Sequence, residues 1–374
     1  MQSSGVTVSV PPSSQARPLP LVGILVFGRA PRLHLLPLRL RALAAEALMQ
    51  GARLVLLNSD DCNPETGRLE GEIWEAGAWV SVSVPLPDVV LVVTNPLQER
   101  HRRVDRWIRG AVPVIRDTGP DKLVLPALLT ATPLARYVIP QDTVDPEAPA
   151  ERIEAWMAAH GDCVVKAVDG KRGHGIHRLH AGPGAGWCLR KDGAVMVFPD
   201  RATAAAAVAA RIAGRLRYRR YIVQRYIVST SPDGRAADLR LHLQRDGHGA
   251  WGVTRRYVRL GEAGQAVSNV SRGGYQGPLD GFLATRRARP AAEITAEADA
   301  AALGIAAAIE AAQGHTLSEL GVDLALDPDD RLWLIETNTR PQTSLHEHDR
   351  AVRTIAYALW LVAGSPAATL PPLS

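Results

Sequence analysis

The sequence predicts a protein of several domains that combines α/β and α+β architecture, and two observations lead to this. From Leu21 onward, short apolar runs alternate with an amphipathic helical segment, which is typical of an open sheet of parallel strands. Further along, pairs of strand-like segments are separated by long alanine-rich helical segments. A chain of 374 residues is long enough for two or three domains with a cleft between secondary-structure layers.

The first part of the chain predicts a small α/β domain over residues 20–118. LVGILVFG and ARLVLLNSD read as buried strands, and LRLRALAAEALMQG between them reads as a helix that ends at Gly51. EIWEAGAWVSVSV and PDVVLVVTN supply further strands of an open parallel sheet. The preceding residues 1–19 are rich in Ser, Pro and Gln, and this composition predicts a disordered tail.

The rest of the chain predicts two α+β domains, over residues 119–228 and 229–374. The first contains the helix ATAAAAVAARIAGRL and the strand YIVQRYIVS. The second contains the strands DLRLHLQRDG and AWGVTRRYVRL and the helix PAAEITAEADAAALGIAAAIEAAQG. It then has a hairpin whose turn is Asp327–Asp330, and a closing helix over about 345–362.

Composition excludes several classes of protein. The 43 basic residues exceed the 38 acidic residues by only five and are scattered, so we expect no nucleic-acid partner; RLRYRR at 215–220 reads as a solvated helix end. Three widely spaced cysteines argue against a disulfide framework or a zinc site. No apolar run approaches the ~20 residues that span a bilayer, and the start of the chain does not resemble a signal peptide. We therefore expect a cytoplasmic protein with no membrane partner.

The stretch VVKAVDGKRGHGIHR combines a strand-borne cation with a cationic, glycine-rich loop. Lys166 ends an apolar run, and Lys171 and Arg172 follow between glycines 170, 173 and 175. Free backbone N–H groups and fixed positive charge are what a polyphosphate binds. A surface hairpin with solvated charges is the alternative reading of this stretch alone.

The predicted hairpin carries a set of oxygen ligands suited to a divalent cation. Asp323 lies on its first strand, and Glu336 and Asn338 lie two residues apart on its second strand, so these two project to the same side. Mg²⁺ takes a few such oxygens and completes its shell with phosphate and water. The alternative is a paired core carboxylate, but the cationic loop earlier in the chain favours metal binding.

Together these motifs resemble the ATP-grasp superfamily over Lys122 to Pro341, and in detail its YheC/YheD-like branch, first noted as spore-coat-associated proteins. PLPDVV and ETNTRPQ are the stretches similar to that branch. The resemblance implies an ATP-grasp fold, in which an N-terminal open α/β domain precedes two α+β lobes enclosing ATP. It also implies an ATP-dependent carboxylate–amine ligase that acts through an acyl phosphate and releases ADP and phosphate.

The resemblance also implies roles for individual residues. The phosphate-binding lysines correspond to Lys122 and Lys166, and the flexible loop to DGKRGHG, which includes Lys171, Arg172, Gly173 and Gly175. Adenine contacts correspond to Gln224, Tyr226 and Ile227, phosphate contacts to Arg240 and Arg256, and metal ligands to Asp323, Glu336 and Asn338. NVSRGG at 269–274 is similar to a segment near the acceptor site.

Two further features concern the substrate and the nucleotide. Arg340 follows Asn338 by two residues and precedes Pro341, so it is positioned to bind a substrate carboxylate by a bidentate pair, or to form a salt bridge with the closing helix. The family's acidic ribose ligand has no counterpart, because only Ser229, Thr230 and Ser231 follow the hinge. A P-loop is disfavoured because the chain has no G-x-x-x-x-G-K-[ST] match.

We therefore expect a ligase that uses ATP and Mg²⁺ to join a small-molecule or peptide carboxylate to an amine; a homodimer is compatible with the sequence. Three alternatives use the same scaffold: a phosphotransferase, a peptide-modifying cyclase and a non-catalytic nucleotide-binding structural protein. His346 and His348 lie at positions i and i+2 of a predicted helix, which do not share a face, so a solvated helix start is expected there rather than a metal site. The sequence names neither the acid nor the amine.

Overall fold

The computed structural model describes residues 18–170, 175–182, 184, 186–191, 193–262, 274–286, 288–341, 343 and 345–364. The chain divides into two compact units, which are described separately. Unit 1 comprises Met1–Ile115 and Ile355–Ser374, and unit 2 comprises Arg116–Thr354.

Unit 1 contains six strands and three helices among its described residues, together with the end of the last helix of the chain. The strands are β1 (Leu21–Val26), β2 (Arg53–Asn63), β3 (Arg68–Glu75), β4 (Ala78–Val84), β5 (Val89–Val92) and β6 (Val114–Ile115). The helices are α1 (Pro31–His34), α2 (Pro37–Met49) and α3 (Glu99–Ala111).

The sheet of unit 1 has the order β4-β3-β2-β1-β5-β6. Strands β2, β1, β5 and β6 are parallel, as the βαβ pattern predicts. The prediction of a wholly parallel sheet is wrong at β3 and β4, which are antiparallel to their neighbours. The turn at Ala76–Gly77, where both residues have positive φ, is too short for a crossover and can join only antiparallel strands.

Unit 2 contains two sheets with their helices. The strands of the first sheet are β7 (Gln141–Thr143), β8 (Cys163–Ala167), β9 (His177–Ala181), β10 (Trp187–Lys191), β11 (Ala194–Phe198) and β12 (Tyr221–Arg225). Those of the second are β13 (Ala237–Arg245), β14 (Trp251–Leu260), β15 (Tyr275–Pro278), β16 (Glu319–Leu326) and β17 (Leu332–Asn338). The helices are α4 (Val124–Thr130), α5 (Pro149–His160), α6 (Arg201–Leu216), α7 (Leu279–Leu283), α8 (Ala291–Gln313) and α9 (Glu347–Gly364), and Pro133–Tyr137 forms a 3-10 helix.

The first sheet of unit 2, in the order β11-β10-β9-β8-β12-β7, has two chemically different faces. Val165 and Val223 point into an apolar core that includes Trp156 of α5 and Val208 of α6. Because side chains alternate along a strand, the residues between them point to the other face. On that face the strand register brings together Gln141, Gln224 and Lys166.

The second sheet of unit 2, in the order β15-β14-β13-β16-β17, shows the same division more completely. The leucines of DLRLHLQR in β13 pack into the core beneath α8. The alternate residues Asp238, Arg240, His242 and Gln244 point to the opposite face, and all four are buried. The turn predicted at Asp327–Asp330 joins β16 to β17 as an antiparallel hairpin. A buried polar face of this kind requires internal partners, because unpaired buried charge is costly.

Candidate functional site

A chain of hydrogen bonds connects Lys166 on the polar face of the first sheet to Lys122 in the turn before α4. The Lys166 ammonium donates to Gln224 Oε1 (2.8 Å), Gln224 Nε2 donates to Gln141 Oε1 (2.9 Å), and Gln141 Nε2 donates to the Lys122 carbonyl (3.0 Å). The Lys122 ammonium donates to the Gly170 carbonyl (2.7 Å), at the start of the glycine-rich loop. Lys166 is therefore held by a neutral amide, which leaves its positive charge available to an anion.

The surroundings of Lys166 shift the pKa of its ammonium group. Burial, with the neighbouring Lys122 charge, lowers the pKa of Lys166 to about 8, and Glu336 opposes that shift. An anion bound here would favour the charged ammonium. The site therefore gains most from a ligand that carries negative charge.

The carboxylates of the second sheet meet the lysines at one place. Glu336 Oε2 lies 3.3 Å from Lys122 Nζ. Asp323 pairs across the strands with Glu336, and Gly321 pairs with Asn338. The Asn338 amide nitrogen lies 3.4 Å from Asp323 Oδ2 and 3.5 Å from Glu336 Oε1. The three residues predicted as metal ligands thus converge.

Asp323 is also held by two arginines. Arg240 contacts both of its oxygens through Nε and NH2, the second contact at 2.8 Å, and Arg259 NH2 lies 2.8 Å from Oδ2. Arg259 also donates to Asp238 (2.6 Å). Burial alone would raise the pKa of Asp323, but the two guanidinium groups hold it below its usual range. Asp323 is therefore an ionised carboxylate with its charge already compensated.

Lys122, Lys166 and Glu336 border a cleft within unit 2 that is open to solvent. Its polar lining includes Lys122, Lys166, Gln141, Gln224 and Glu336. Its apolar lining is Leu125, Val138, Ile139, Ile222, Leu334 and Ile335. Apolar walls with a few convergent polar groups are typical of small-molecule sites.

The net charge of the cluster favours an anion. The cations are Lys122, Lys166, Arg240 and Arg259, against the carboxylates Asp238, Asp323 and Glu336. Glu336 and Asn338 fit a divalent cation, with the Asn338 amide turned to present its oxygen; that orientation is a choice between two similar positions. Asp323 can bind the cation only if Arg240 or Arg259 releases one of the Asp323 carboxylate oxygens. The donor set thus suits a cation that arrives together with a polyanion.

The predicted adenine hinge has a more mixed surrounding. Gln224 is buried and points to the lysine chain. The Tyr226 amide donates to the Asp162 carbonyl (2.9 Å), and the Arg178 guanidinium lies 3.7 Å from the centroid of its ring. Ile227 packs against the apolar cluster of Ile139, Ala325 and Trp333. Of these three hinge residues, only Gln224 lines the cleft.

The serines after the hinge serve local structure. Ser229 Oγ accepts a hydrogen bond from the Leu326 amide (3.1 Å), and Ser231 Oγ donates to Asp233 (2.5 Å). Both serines are buried. The ribose contact that the sequence leaves unassigned has no evident candidate among them.

The structure does not bring Arg256 to this cluster. Arg256 pairs with Leu241 across the strands, and so lies on the face toward α8, where its Nε is 2.6 Å from Asp299. Arg259, three residues later, lies on the site face. Strand alternation in TRRYVRL separates the two, because an odd-numbered spacing places Arg256 and Arg259 on opposite faces of β14.

Several predicted residues fall elsewhere. Lys171, Arg172 and Gly173 lie outside the described residues, as do residues 269–273 of the NVSRGG segment. Gly175 is described and has a φ of +69°, a conformation that favours glycine. Arg340 is exposed; burial of its surroundings and the nearby Arg116 charge lower its pKa, and Asp117 opposes the shift.

Solved structures of other proteins share the architecture of this chain. The crystal structure of D-cycloserine synthetase DcsG aligns with a TM-score of 0.51 and 18% identity, over 91% of this chain and 98% of that chain. The ATP-grasp ligase PsnB, complexed with a phosphomimetic variant of its minimal precursor, Mg and ADP, aligns with a TM-score of 0.50 and 14% identity, over 96% and 99%. The fold of this chain is the ATP-grasp fold.

Sequence comparison narrows this class. Residues 111–361 match the family described as "YheC/D like ATP-grasp", and the chain belongs to that family. It is 24% identical over 340 residues to the endospore coat-associated protein YheD of Bacillus subtilis (strain 168), which covers 88% of this chain and 74% of that protein. The resemblance and the fold predicted from the sequence are confirmed. No helix among the described residues is long and apolar enough to cross a membrane.

Proposed function

We propose that the protein is an ATP-dependent ligase that activates a carboxylate as an acyl phosphate and joins it to an amine, with release of ADP and phosphate. The observation that carries the proposal is that Lys122, Lys166 and Glu336 line one cleft, with Asn338 and Asp323 directly beside Glu336. Lys166 on β8 and Lys122 in the turn before α4 supply cations, and β16 and β17 supply oxygen ligands, which is the combination that a metal-bound polyphosphate requires. The family membership and the ligases among the structural neighbours agree with this assignment.

In this proposal each group has a separate task. Lys122 and Lys166 bind phosphate oxygens of ATP, and Gln141 and Gln224 hold Lys166 in position. Glu336, Asn338 and, after a shift of Arg240 or Arg259, Asp323 would hold Mg²⁺, which supplies charge neutralisation on the phosphates. The adenine base would lie on the apolar wall beside Ile139 and Leu334.

The reaction balances as two displacements. A carboxylate oxygen attacks the γ-phosphorus of ATP and the bond to ADP breaks; an amine then attacks the acyl carbon, loses a proton, and phosphate leaves. Arg259, beside Asp323, is our candidate for stabilising the transferring phosphoryl group, since Arg256 is engaged by Asp299 on the other face. Arg340 would bind the carboxylate, and the loop over residues 169–175 would exclude water.

A substrate screen tests the proposal. The purified protein is incubated with ATP, Mg²⁺ and pools of acids and amines, and the products are analysed by mass spectrometry for condensation and for ADP against AMP. We expect ADP and a condensation product that needs both pools. A phosphorylated acid that accumulates with no amine requirement would indicate a phosphotransferase instead, and ATP binding without turnover in any pool would favour a structural role.

The control for this screen is Glu336→Gln, which preserves shape and removes one negative charge from the metal-binding set. It should abolish product formation while the protein remains folded. Full activity in a folded Glu336→Gln protein would remove Glu336 from the site.

A further inference from the structure

A chain of buried hydrogen bonds lies on the same sheet face as Asp323 but has no part in the chemistry described above. His346 Nδ1 lies 2.8 Å from Thr343 Oγ1, and its Nε2 lies 2.8 Å from Nδ1 of His242. His242 Nε2 lies 2.8 Å from Glu319 Oε1, and Arg350 binds both oxygens of Glu319 at 2.5 and 2.6 Å. The expectation that His346 forms a solvated helix start is wrong, because only 5% of its surface is exposed.

The position of each proton in this chain of hydrogen bonds follows from Glu319 at its end. Burial would raise the pKa of Glu319, but Arg350 and His242 hold it well below its usual range, so Glu319 accepts from a protonated His242 Nε2. Burial lowers the pKa of His242 and, as the largest cause, lowers that of His346 to about 4, so both rings are neutral near pH 7. His242 Nδ1 must then accept from His346 Nε2–H, and His346 Nδ1 must accept from the Thr343 hydroxyl. Every ring nitrogen has one defined role.

This chain of hydrogen bonds fixes one end of the backbone segment that carries Arg340. At the other end Asn338 is paired with Gly321 in the sheet. A side chain at residue 321 would lie 3.0 Å from Pro341 Cβ and 3.3 Å from an Arg240 nitrogen, so the missing side chain lets Pro341 lie against the sheet beside Arg240. Pro341 and Thr343 are both buried. Arg340, which lies between Asn338 and Pro341 in the chain, is exposed.

We infer that the Thr343 hydroxyl, oriented by His346 and His242, is a positioning group that fixes the Arg340 segment beside Arg240, from where Arg340 binds a substrate carboxylate. Thr343 does not touch the reacting atoms in this inference; it acts through the backbone of the Arg340 segment. An exposed guanidinium loses conformational entropy when it binds a ligand, and fixing its backbone on both sides reduces that cost. The inference rests on the proposed function, because Arg340 is assigned to the carboxylate there.

The matched pair Thr343→Val and Thr343→Ser tests the hydroxyl. Valine keeps the shape and removes the donor to His346, and serine restores it. We expect Thr343→Val to raise the KM for the acid by about tenfold, the effect of one lost orienting contact of about 1.4 kcal/mol, and to leave Mg-ATP affinity within about twofold of the wild type. Thr343→Ser should behave as the wild type. Thr354→Val, which removes the hydroxyl that donates to the Arg350 carbonyl, is the control and should leave the KM for the acid unchanged.

A second mutation separates positioning from a general loss of structure. In an Arg340→Ala background, Thr343→Val should add no further increase in the KM for the acid, because both changes remove the same interaction. A full additional tenfold increase in that background would overturn the inference. So would an unchanged KM in Thr343→Val in a protein that binds Mg-ATP normally.

Two measurements need no substrate, so they separate failure of this inference from failure of the proposed function. ¹⁵N NMR of the histidine rings, assigned through His242 and His346 variants, should show both rings protonated at Nε2, and a protonated Nδ1 on His346 would contradict the chain. Amide hydrogen exchange at Arg340 should be faster in Thr343→Val than in Thr343→Ser or Thr354→Val. Equal exchange in all three would overturn the positioning role even if the ligase assignment holds, whereas a wild type that fails to bind Mg-ATP would overturn the ligase assignment alone.

Discussion

Replacing Lys166 with methionine should weaken Mg-ATP binding and at the same time stabilise the folded protein. Methionine keeps an apolar, unbranched side chain of similar length and removes only the ammonium. In the free protein this ammonium lies half-buried beside Lys122 and donates to the neutral Gln224 amide, and no carboxylate of the described residues is within hydrogen-bonding distance of it. The change therefore removes an unfavourable charge from the free protein and a favourable one from the complex.

The size of the effect follows from the surroundings of Lys166. A unit charge about 4 Å from another contributes roughly 4 kcal/mol at the effective dielectric constant of about 20 that suits such sites. Truncating one partner of a buried charge pair costs about 2 to 5 kcal/mol. The desolvation of Lys166 already occurs on folding, so little of it opposes binding. We expect a loss of about 3 kcal/mol, which is roughly a 150-fold increase in the Kd.

Isothermal titration calorimetry at pH 7 and thermal unfolding without nucleotide measure the two effects. Lys191 in β10 supplies the control, because it belongs to the same sheet but does not line the cleft. Lys191→Met should leave both the Kd and the Tm near the wild-type values. A Kd for Lys166→Met within threefold of the wild type, or a Tm that falls, would refute the reasoning.

Three further predictions concern pH and the metal. Burial and Lys122 lower the pKa of Lys166 to about 8, so its ammonium is nearly complete at about pH 7 and is lost as the pH rises through 8. Mg-ATP affinity should therefore be nearly constant below about pH 7 and fall roughly tenfold by about pH 9. Lys166→Arg, which does not titrate in this range, should show no such fall by calorimetry. Glu336→Gln should lower turnover at least about 100-fold, with a Tm within a few degrees of the wild type. The control, Glu151→Gln at an exposed position, should leave turnover unchanged. A wild-type rate in Glu336→Gln would contradict the metal assignment. Since the cations of the cluster outnumber the carboxylates, the Kd for Mg²⁺ alone should be about millimolar or weaker. With ADP present, Mg²⁺ should bind far more tightly. Tight Mg²⁺ binding to the nucleotide-free protein would contradict the charge argument.

Much of the fold could be predicted because local patterns and packing agree. Alternation in DLRLHLQR and the apolar strand LVGILV report which faces are buried, and these patterns survive in β13 and β1. The direction of β3 could not be read from its residues alone, because parallel and antiparallel pairing are decided by the length of the connection. The available signs were the four-residue connection between β2 and β3 and the two-residue turn at Ala76–Gly77 between β3 and β4, which are both too short for a crossover.

Site residues that lie close together in one motif could be predicted from the sequence. Site residues whose position depends on pairing with distant strands could not. Glu336 and Asn338 share a face by spacing alone. Arg259 and Gln141 could not be assigned in the same way, because their roles depend on register with β13 and β12, which is set by partners distant in sequence. His346 reads as a solvated residue on a helix because its burial comes from His242, which is 104 residues away in the chain.

The transfer of oxygen from the acid to phosphate tests the central claim most directly. With an acid substrate labelled with ¹⁸O in its carboxylate, attack on the γ-phosphorus and later displacement by the amine must leave one carboxylate oxygen in the released phosphate. Mass spectrometry of that phosphate should therefore show one ¹⁸O atom per condensation event. Phosphate that contains no ¹⁸O, released at the same rate as the condensation product, would contradict an acyl phosphate formed in this cleft.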